Sequence, residues 1–114
     1  MPYVCVTAAK KLNAEEKESL YKKLGELMPL IPGKTLDNTL LAISDGVPMY
    51  KSGAPCDGAH VSVQCYKASP PEAKKEFAAK FYGVLKEELG LGEGSCVYMN
   101  FPEFEDWAAN GNYF

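Results

Sequence analysis

An offset of 57 positions carries one half of the sequence onto the other, and this repeat limits the fold more tightly than any other feature. Val4-Cys5-Val6-Thr7 alternates apolar and polar residues, as a half-buried strand does, and Val61-Ser62-Val63-Gln64 does the same. The offset carries Leu20 to Phe77, Leu24 to Phe81, Leu27 to Val84 and Met28 to Leu85. It also carries Leu40 to Val97 and Ala42 to Met99. The chain has 114 residues, so it reads as one domain, 1–114, made of two copies of a unit at about 1–57 and 58–114.

Each unit reads as strand, helix, strand. Asn13 has the character of a helix N-cap, with Glu16 three residues on to complete a capping box. Leu20, Leu24, Leu27 and Met28 then form one stripe at helical spacing, and Pro29 with Pro32-Gly33 ends the helix. In the second unit Ser69 is the expected cap, Pro70 the first helical residue and Glu72 the partner in the box. Phe77, Phe81, Val84, Leu85 and Leu89 make the second stripe, which Gly90 stops. Strands are expected at about 39–44 and 96–101. A crossover of helical length makes the two strands of each unit parallel. The expected fold is α+β in two layers: tandem βαβ units, a four-stranded sheet and both helices on one face. The other sheet face carries small, mildly polar residues (Cys5 and Thr7, or Ser62 and Gln64). A bare face of that kind predicts burial by another subunit.

Composition excludes several classes. Net charge is -3 and the pI is about 5.2, which gives no electrostatic reason to bind nucleic acid. No segment reaches the roughly 20 apolar residues of a membrane span, and the N-terminal apolar run is too short for a signal peptide. Cys5, Cys56, Cys65 and Cys96 form no C-x-x-C pair, so zinc or dithiol chemistry is unsupported; no cofactor is expected. Reduced cysteines and a cytoplasmic location are expected. All 12 basic residues are lysines. Any anion site must therefore use lysine as a point charge, backbone N–H groups or neutral donors, in place of the planar fork of arginine.

Few residues remain for chemistry. His60 stands alone with no nucleophile motif around it. The glutamates at 15, 16, 18, 87 and 88 read as solvated helix faces. Neither Ile31-Pro-Gly-Lys34 nor Gly90-Leu-Gly-Glu-Gly94 has phosphate-loop spacing. The C-terminal stretch with Phe101, Phe104, Trp107, Tyr113 and Phe114 is too aromatic for a solvated tail and should pack, a neighbouring subunit being one surface for it. Two features stand out. Met1-Pro2 precedes the first strand directly, and removal of the initiator Met would leave a rigid secondary amine. Lys34 follows Pro32-Gly33, where it is placed to hold an anion.

Met1-Pro2 before a strand, Pro32-Gly33-Lys34, Val47-Pro48-Met49, Val61-Ser62-Val63, Val97-Tyr98-Met99-Asn100-Phe101, Trp107 and Asn112-Tyr113-Phe114 follow one another in an order similar to that of a known family. The whole chain resembles the macrophage migration inhibitory factor branch of the tautomerase superfamily, of the phenylpyruvate and D-dopachrome tautomerase type. The resemblance implies a homotrimer with a pocket at each subunit interface and Pro2 as catalytic acid and base. It implies that Lys34 and the backbone of Val63, or a neighbour within the 63–67 segment, bind substrate in that pocket. Tyr98 and Asn100 would come from the adjacent subunit, with Trp107 and Phe114 lining the walls. The chain departs from the family where Ala59 stands in place of the second cysteine of a C-x-x-C beginning at Cys56. It departs again at Asn38, where an aromatic is frequent. Decarboxylase and dehalogenase relatives rely on arginines, so their absence points toward simple keto–enol tautomerisation.

The implied activity is an intramolecular oxidoreductase (isomerase) reaction on a small keto or enol acid such as phenylpyruvate. A tautomerase base works best with a pKa near the working pH. Burial disfavours a charged amine and lowers its pKa by up to roughly 3–5 units when complete, and the Lys34 ammonium acts in the same direction. While Met1 remains attached, the Pro2 nitrogen is an amide and cannot act as a base. The rival reading is a cytokine-like trimer whose partner is an extracellular receptor and whose pocket is incidental. A trimer with no chemistry is the third.

Overall fold

Pro2 to Ala8 alternate buried and half-buried residues in strict succession, as a strand packed on one face must. A computed structural model describes residues 1–114. The elements run β1 (Pro2–Ala8), α1 (Ala14–Leu27), β2 (Leu40–Ser44), a hairpin of β3 (Tyr50–Lys51) and β4 (Ala54–Pro55), then β5 (Gly58–Tyr66) and α2 (Pro71–Glu88). They close with β6 (Cys96–Asn100), β7 (Glu103–Phe104) and a hairpin of β8 (Ala108–Ala109) and β9 (Asn112–Tyr113). The main sheet has the order β2-β1-β5-β6. β1 is parallel to β2 and β5 is parallel to β6. β1 and β5 meet antiparallel at the centre, with Val4 opposite Val63 and Val6 opposite Val61. The 57-residue offset turns the first of these pairs into the second, so the two units are related about the middle of the sheet.

One sheet face is dry. Val4, Val6, Val61 and Val63 point toward Leu20, Leu24 and Met28 of the first unit's helical segment and Phe77, Phe81 and Leu85 of α2, all essentially fully buried. The helical stripes read from the sequence form this core. Burial of each large side chain stabilises the fold by roughly 1.5–3 kcal/mol. The opposite face is open: Leu40 and Tyr98 are each 67% exposed, although both are large and apolar-bodied.

The structure corrects three local expectations. The repeat slips by one residue after the helices. Tyr3 pairs with Leu40 while His60, its counterpart, pairs with Tyr98, so Leu40 corresponds to Tyr98 and Ala42 to Asn100. Leu41, Ile43, Val97 and Met99 are the partly buried helix-facing set. A one-residue slip exchanges the two faces of a strand, and only this register keeps the apolar residues inside. The start of α2 also differs. Pro70 is the N-cap and Pro71 the first helical residue, with no side-chain cap; the Ser69 N–H instead donates to Glu103 Oε2 at 2.8 Å. At α1, by contrast, Asn13 and Glu16 form the expected capping box. Finally, the sheet gains a fifth strand. β7 follows β6 along the same edge of β5, past Phe101-Pro102.

Candidate active site

The site is built where α1 stops. Pro29 cannot continue the helix ladder, and Met28–Leu30 tighten into a 3-10 turn. Buried Ile31 then anchors a reversal in which the Lys34 N–H donates to the Ile31 carbonyl at 3.0 Å. Proline second and glycine third, with Gly33 at φ +77°, is the chemistry of a type II turn. The turn aims Lys34 at the start of β1, where its Nζ donates to the Tyr66 carbonyl at 3.3 Å.

Tyr66 meets this end of β1 with its other backbone group as well. Its N–H donates to the Met1 carbonyl at 3.4 Å. The Met1 amine is held below its ordinary pKa, first by burial and then by the Lys34 ammonium beside it. Pro2 is buried and stands opposite Cys65. The Cys65 thiol is pushed up by burial, against the pull of Lys34 and the N-terminal amine.

Met1 and Pro2 open onto a cleft of about 730 Å³, with Tyr3, Asn38, Leu40 and Trp107 among its walls. Each wall is fixed locally. Asn38 Oδ1 accepts from the Thr35 N–H at 3.1 Å, and the Thr39 hydroxyl donates to the Thr35 carbonyl at 2.6 Å. The β8–β9 hairpin turns the C-terminus back, and the Phe114 N–H donates to the Trp107 carbonyl at 2.9 Å. Tyr113 Oη donates to Asp106 Oδ1 at 2.6 Å.

The residues anticipated from sequence fall into three groups. Pro2 and Trp107 line the cleft. Lys34 and Phe114 lie behind Met1: Lys34 bonds Tyr66, and the Phe114 ring stands 5.6 Å from the Tyr66 ring. The aromatic C-terminus thus packs in part on its own chain, as Phe101 also does against Phe77. Val63, Tyr98 and Asn100 are not brought to Pro2 within the chain. The Val63 side chain is fully buried under the helices. The residue of the 63–67 segment that meets Lys34 is Tyr66, three positions on, because the strand register puts the end of β5 beside Met1. Tyr98 and Asn100 lie on the open face of β6, across β5 from β1. Asn100 Oδ1 is 3.2 Å from His60 Nε2. Tyr98 borders a second cleft region of about 410 Å³ that also includes Met49, Ala59 and His60. Sequence reasoning missed Tyr66, since nothing in Cys65-Tyr66-Lys67 signals a site until the strands are paired.

Solved structures share this fold. MIF2 from Leishmania major superimposes with a TM-score of 0.90 at 22% identity, covering 100% of this chain and 97% of that one. A macrophage migration inhibitory factor-like protein from Entamoeba histolytica gives 0.84 at 15% identity, covering 99% and 98%. A fused 4-OT solved as an asymmetric trimer gives 0.79 at 14% identity, covering 97% and 94%. The fold is that of the tautomerase superfamily. No protein-family model matches the chain. D-dopachrome decarboxylase-B of Xenopus laevis is 30% identical over 100 residues, 86% of this chain and 83% of that protein. The chain belongs to the macrophage migration inhibitory factor-like branch of the tautomerase superfamily, and tautomerase-type activity in general goes with that membership. The absence of arginine does not separate it from a relative bearing a decarboxylase name.

Proposed function

We propose that this protein is a keto–enol tautomerase for arylpyruvate-type acids, working as a homotrimer with the Pro2 amine as base and acid once Met1 is removed. One observation carries the reading: the backbone of Met1 occupies the meeting point of Lys34 and Tyr66. Hydrolysis of the Met1–Pro2 bond takes away the carbonyl that accepts the Tyr66 N–H and leaves the Lys34 ammonium nearby. A carboxylate fits both donors, and a charge-assisted bond to each is stronger than a neutral one. The same hydrolysis turns the Pro2 nitrogen into a secondary amine. The burial and the Lys34 charge that lower the Met1 amine act at the next atoms of the chain, in the direction that favours a neutral proline amine.

The reaction then balances without a cofactor. With phenylpyruvate enol, the neutral Pro2 nitrogen takes the hydroxyl proton. The oxygen lone pair becomes the carbonyl, and the displaced π electrons take the same proton back at the benzylic carbon. Asn100 of the partner subunit donates to the substrate oxygen, and Tyr98 of the partner subunit with Trp107 and Phe114 flanks the ring. The open sheet face with its exposed Leu40 and Tyr98 supports the trimer, as does the trimeric state of the fused 4-OT. The name of the Xenopus relative favours a second reading, in which the same Lys34 and Pro2 act on a D-dopachrome-like acid whose carboxylate is lost.

An enol–keto assay on protein of known intact mass tests the proposal. Turnover of phenylpyruvate that Pro2→Gly removes supports it. Turnover that Pro2→Gly leaves intact contradicts the role of Pro2, and no turnover in protein lacking Met1 contradicts the enzymatic reading and favours a cytokine-like protein that docks on an extracellular receptor.

A further inference from the structure

Glu103 lies outside the cleft and was not singled out by any motif. Its carboxylate nevertheless has two directed partners, the Ser69 N–H on Oε2 at 2.8 Å and Lys74 Nζ on Oε1 at 3.0 Å. Glu103 and Lys74 are each only 22% exposed. Burial pushes the Glu103 carboxyl up, but the Ser69 N–H, Lys74 and the charge of Lys34 outweigh it and hold the carboxyl below its usual range. Glu103 thus ties β7 to the residue that precedes the α2 N-cap and to Lys74 in the helix's first turns.

What it holds is the segment behind the anion subsite. Glu103 stands opposite Cys65, and Phe104 opposite Tyr66. The Cys65 N–H donates to the Pro102 carbonyl at 3.0 Å and the Lys67 N–H to the Phe104 carbonyl at 2.8 Å. Between them the Tyr66 N–H points the other way, to Met1. Lys67 then leaves the strand at φ +66°, an unfavourable conformation for a lysine, so this strand end needs outside support. β7 supplies that support with two residues, and a two-residue strand holds its place only if something else fastens it.

We propose that Glu103 is a positioning residue for substrate binding: by fastening β7 to Ser69 and Lys74 it fixes the backbone of 65–67 and so aims the Tyr66 N–H and carbonyl at the substrate carboxylate and Lys34. This rests on the tautomerase reading above.

The experiment compares Glu103→Gln, Glu103→Asp and Lys34→Ala in protein lacking Met1, with phenylpyruvate and its methyl ester as substrates. Amide hydrogen exchange is measured on the same proteins. Glu103→Gln is expected to raise KM for the acid roughly fivefold, the equivalent of about 1 kcal/mol, with kcat and the ester little changed. Exchange at Cys65 and Lys67 should accelerate about tenfold, and Glu103→Asp should restore part of both. Lys34→Ala separates the two claims. If it raises KM for the acid selectively while Glu103→Gln moves acid and ester equally or not at all, the Glu103 proposal is overturned and the function stands. If Lys34→Ala shows no selectivity, the function reading fails. Exchange at 65 and 67 then decides the role of Glu103: unchanged rates in Glu103→Gln overturn it, and faster rates uphold the fastening.

Discussion

The two units run in step until Pro29. Its counterpart 57 residues on is Lys86, and there the helix continues: α2 has 18 residues where α1 has 14. Both units reverse on a left-handed glycine, Gly33 at φ +77° and Gly90 at φ +61°, but they do so differently. In the second unit the Leu91 N–H reaches back to the Lys86 carbonyl at 3.0 Å, a Schellman closure. Leu91 is then packed against the core. In the first unit the residue after glycine is Lys34, released by the earlier break to reach Tyr66. The starts of the inner strands differ in the same way. Pro2 heads β1, while its counterpart Ala59 is a buried core residue. Each unit has a cleft where its two parallel strands begin, about 730 Å³ beside Pro2 and about 410 Å³ beside Ala59. One architecture is used twice, and only the first copy carries an amine and a lysine. In the second, Tyr98 and Asn100 stand exposed on β6.

This asymmetry can be tested at equivalent positions. The largest effect is expected at Pro2. Pro2→Gly should lower kcat/KM by roughly 10²- to 10⁴-fold, the usual contribution of a general acid–base group, while Ala59→Gly should cost stability and leave kcat/KM within about twofold. Similar losses at both positions would erase the distinction between the clefts. Next is Lys34. Loss of one charge-assisted bond costs roughly 1.5–3 kcal/mol, so Lys34→Ala should raise KM for an arylpyruvate about 10- to 100-fold and spare its methyl ester. Replacing Leu91, the counterpart, by Ala should change stability alone.

A smaller effect concerns the shared face. Leu40→Lys and Tyr98→Lys place charge at corresponding positions of the two edge strands. Each is expected to shift light-scattering mass from trimer toward monomer at micromolar concentration. A wild type that scatters as a monomer would remove the shared pocket from the account. The smallest effect is acid sensitivity. Glu16, Asp45, Glu88 and Glu103 are all held below their ordinary range. The Asn13 N–H leads for Glu16, the Leu12 N–H for Asp45 and Lys23 for Glu88, while at Glu103 burial opposes but is outweighed by the Ser69 N–H. A carboxyl with a lowered folded pKa contributes stability that is present above its unfolded value, about 4, and is lost as pH falls through the folded value. Tm should be flat from neutral pH to about 5 and fall below about 4, and Asp45→Asn should flatten that fall.

The sequence made much of this legible because periodicity records burial. The stripes through Leu20 and Phe77 and the alternation around Val4 and Val61 named the core and both inner strands. The Asn13 cap and the Gly90 stop were local chemistry and could be read locally. What escaped depends on pairing across the chain. The slip that matches Leu40 to Tyr98 arises in a loop whose length has no periodic signature. Ser69 has the character of a cap, yet Pro70 is the N-cap and the Ser69 N–H goes to Glu103, 34 residues on. The backbone beside Lys34 was expected at Val63 or a neighbour within 63–67 and is that of Tyr66, because only the register of β1 against β5 decides which residue of the strand faces Met1.

The central claim is that chemistry begins when Met1 leaves, and the fraction of chains without Met1 measures it most directly. Preparations ranging from full retention to full removal of Met1, quantified by intact mass, are assayed for enol–keto conversion across pH. The account predicts a rate proportional to the Met1-free fraction. It also predicts a kcat/KM profile governed by a group titrating well below an ordinary secondary amine, and a loss of that limb on alkylation of Pro2. Full activity in protein that verifiably retains Met1 would contradict it.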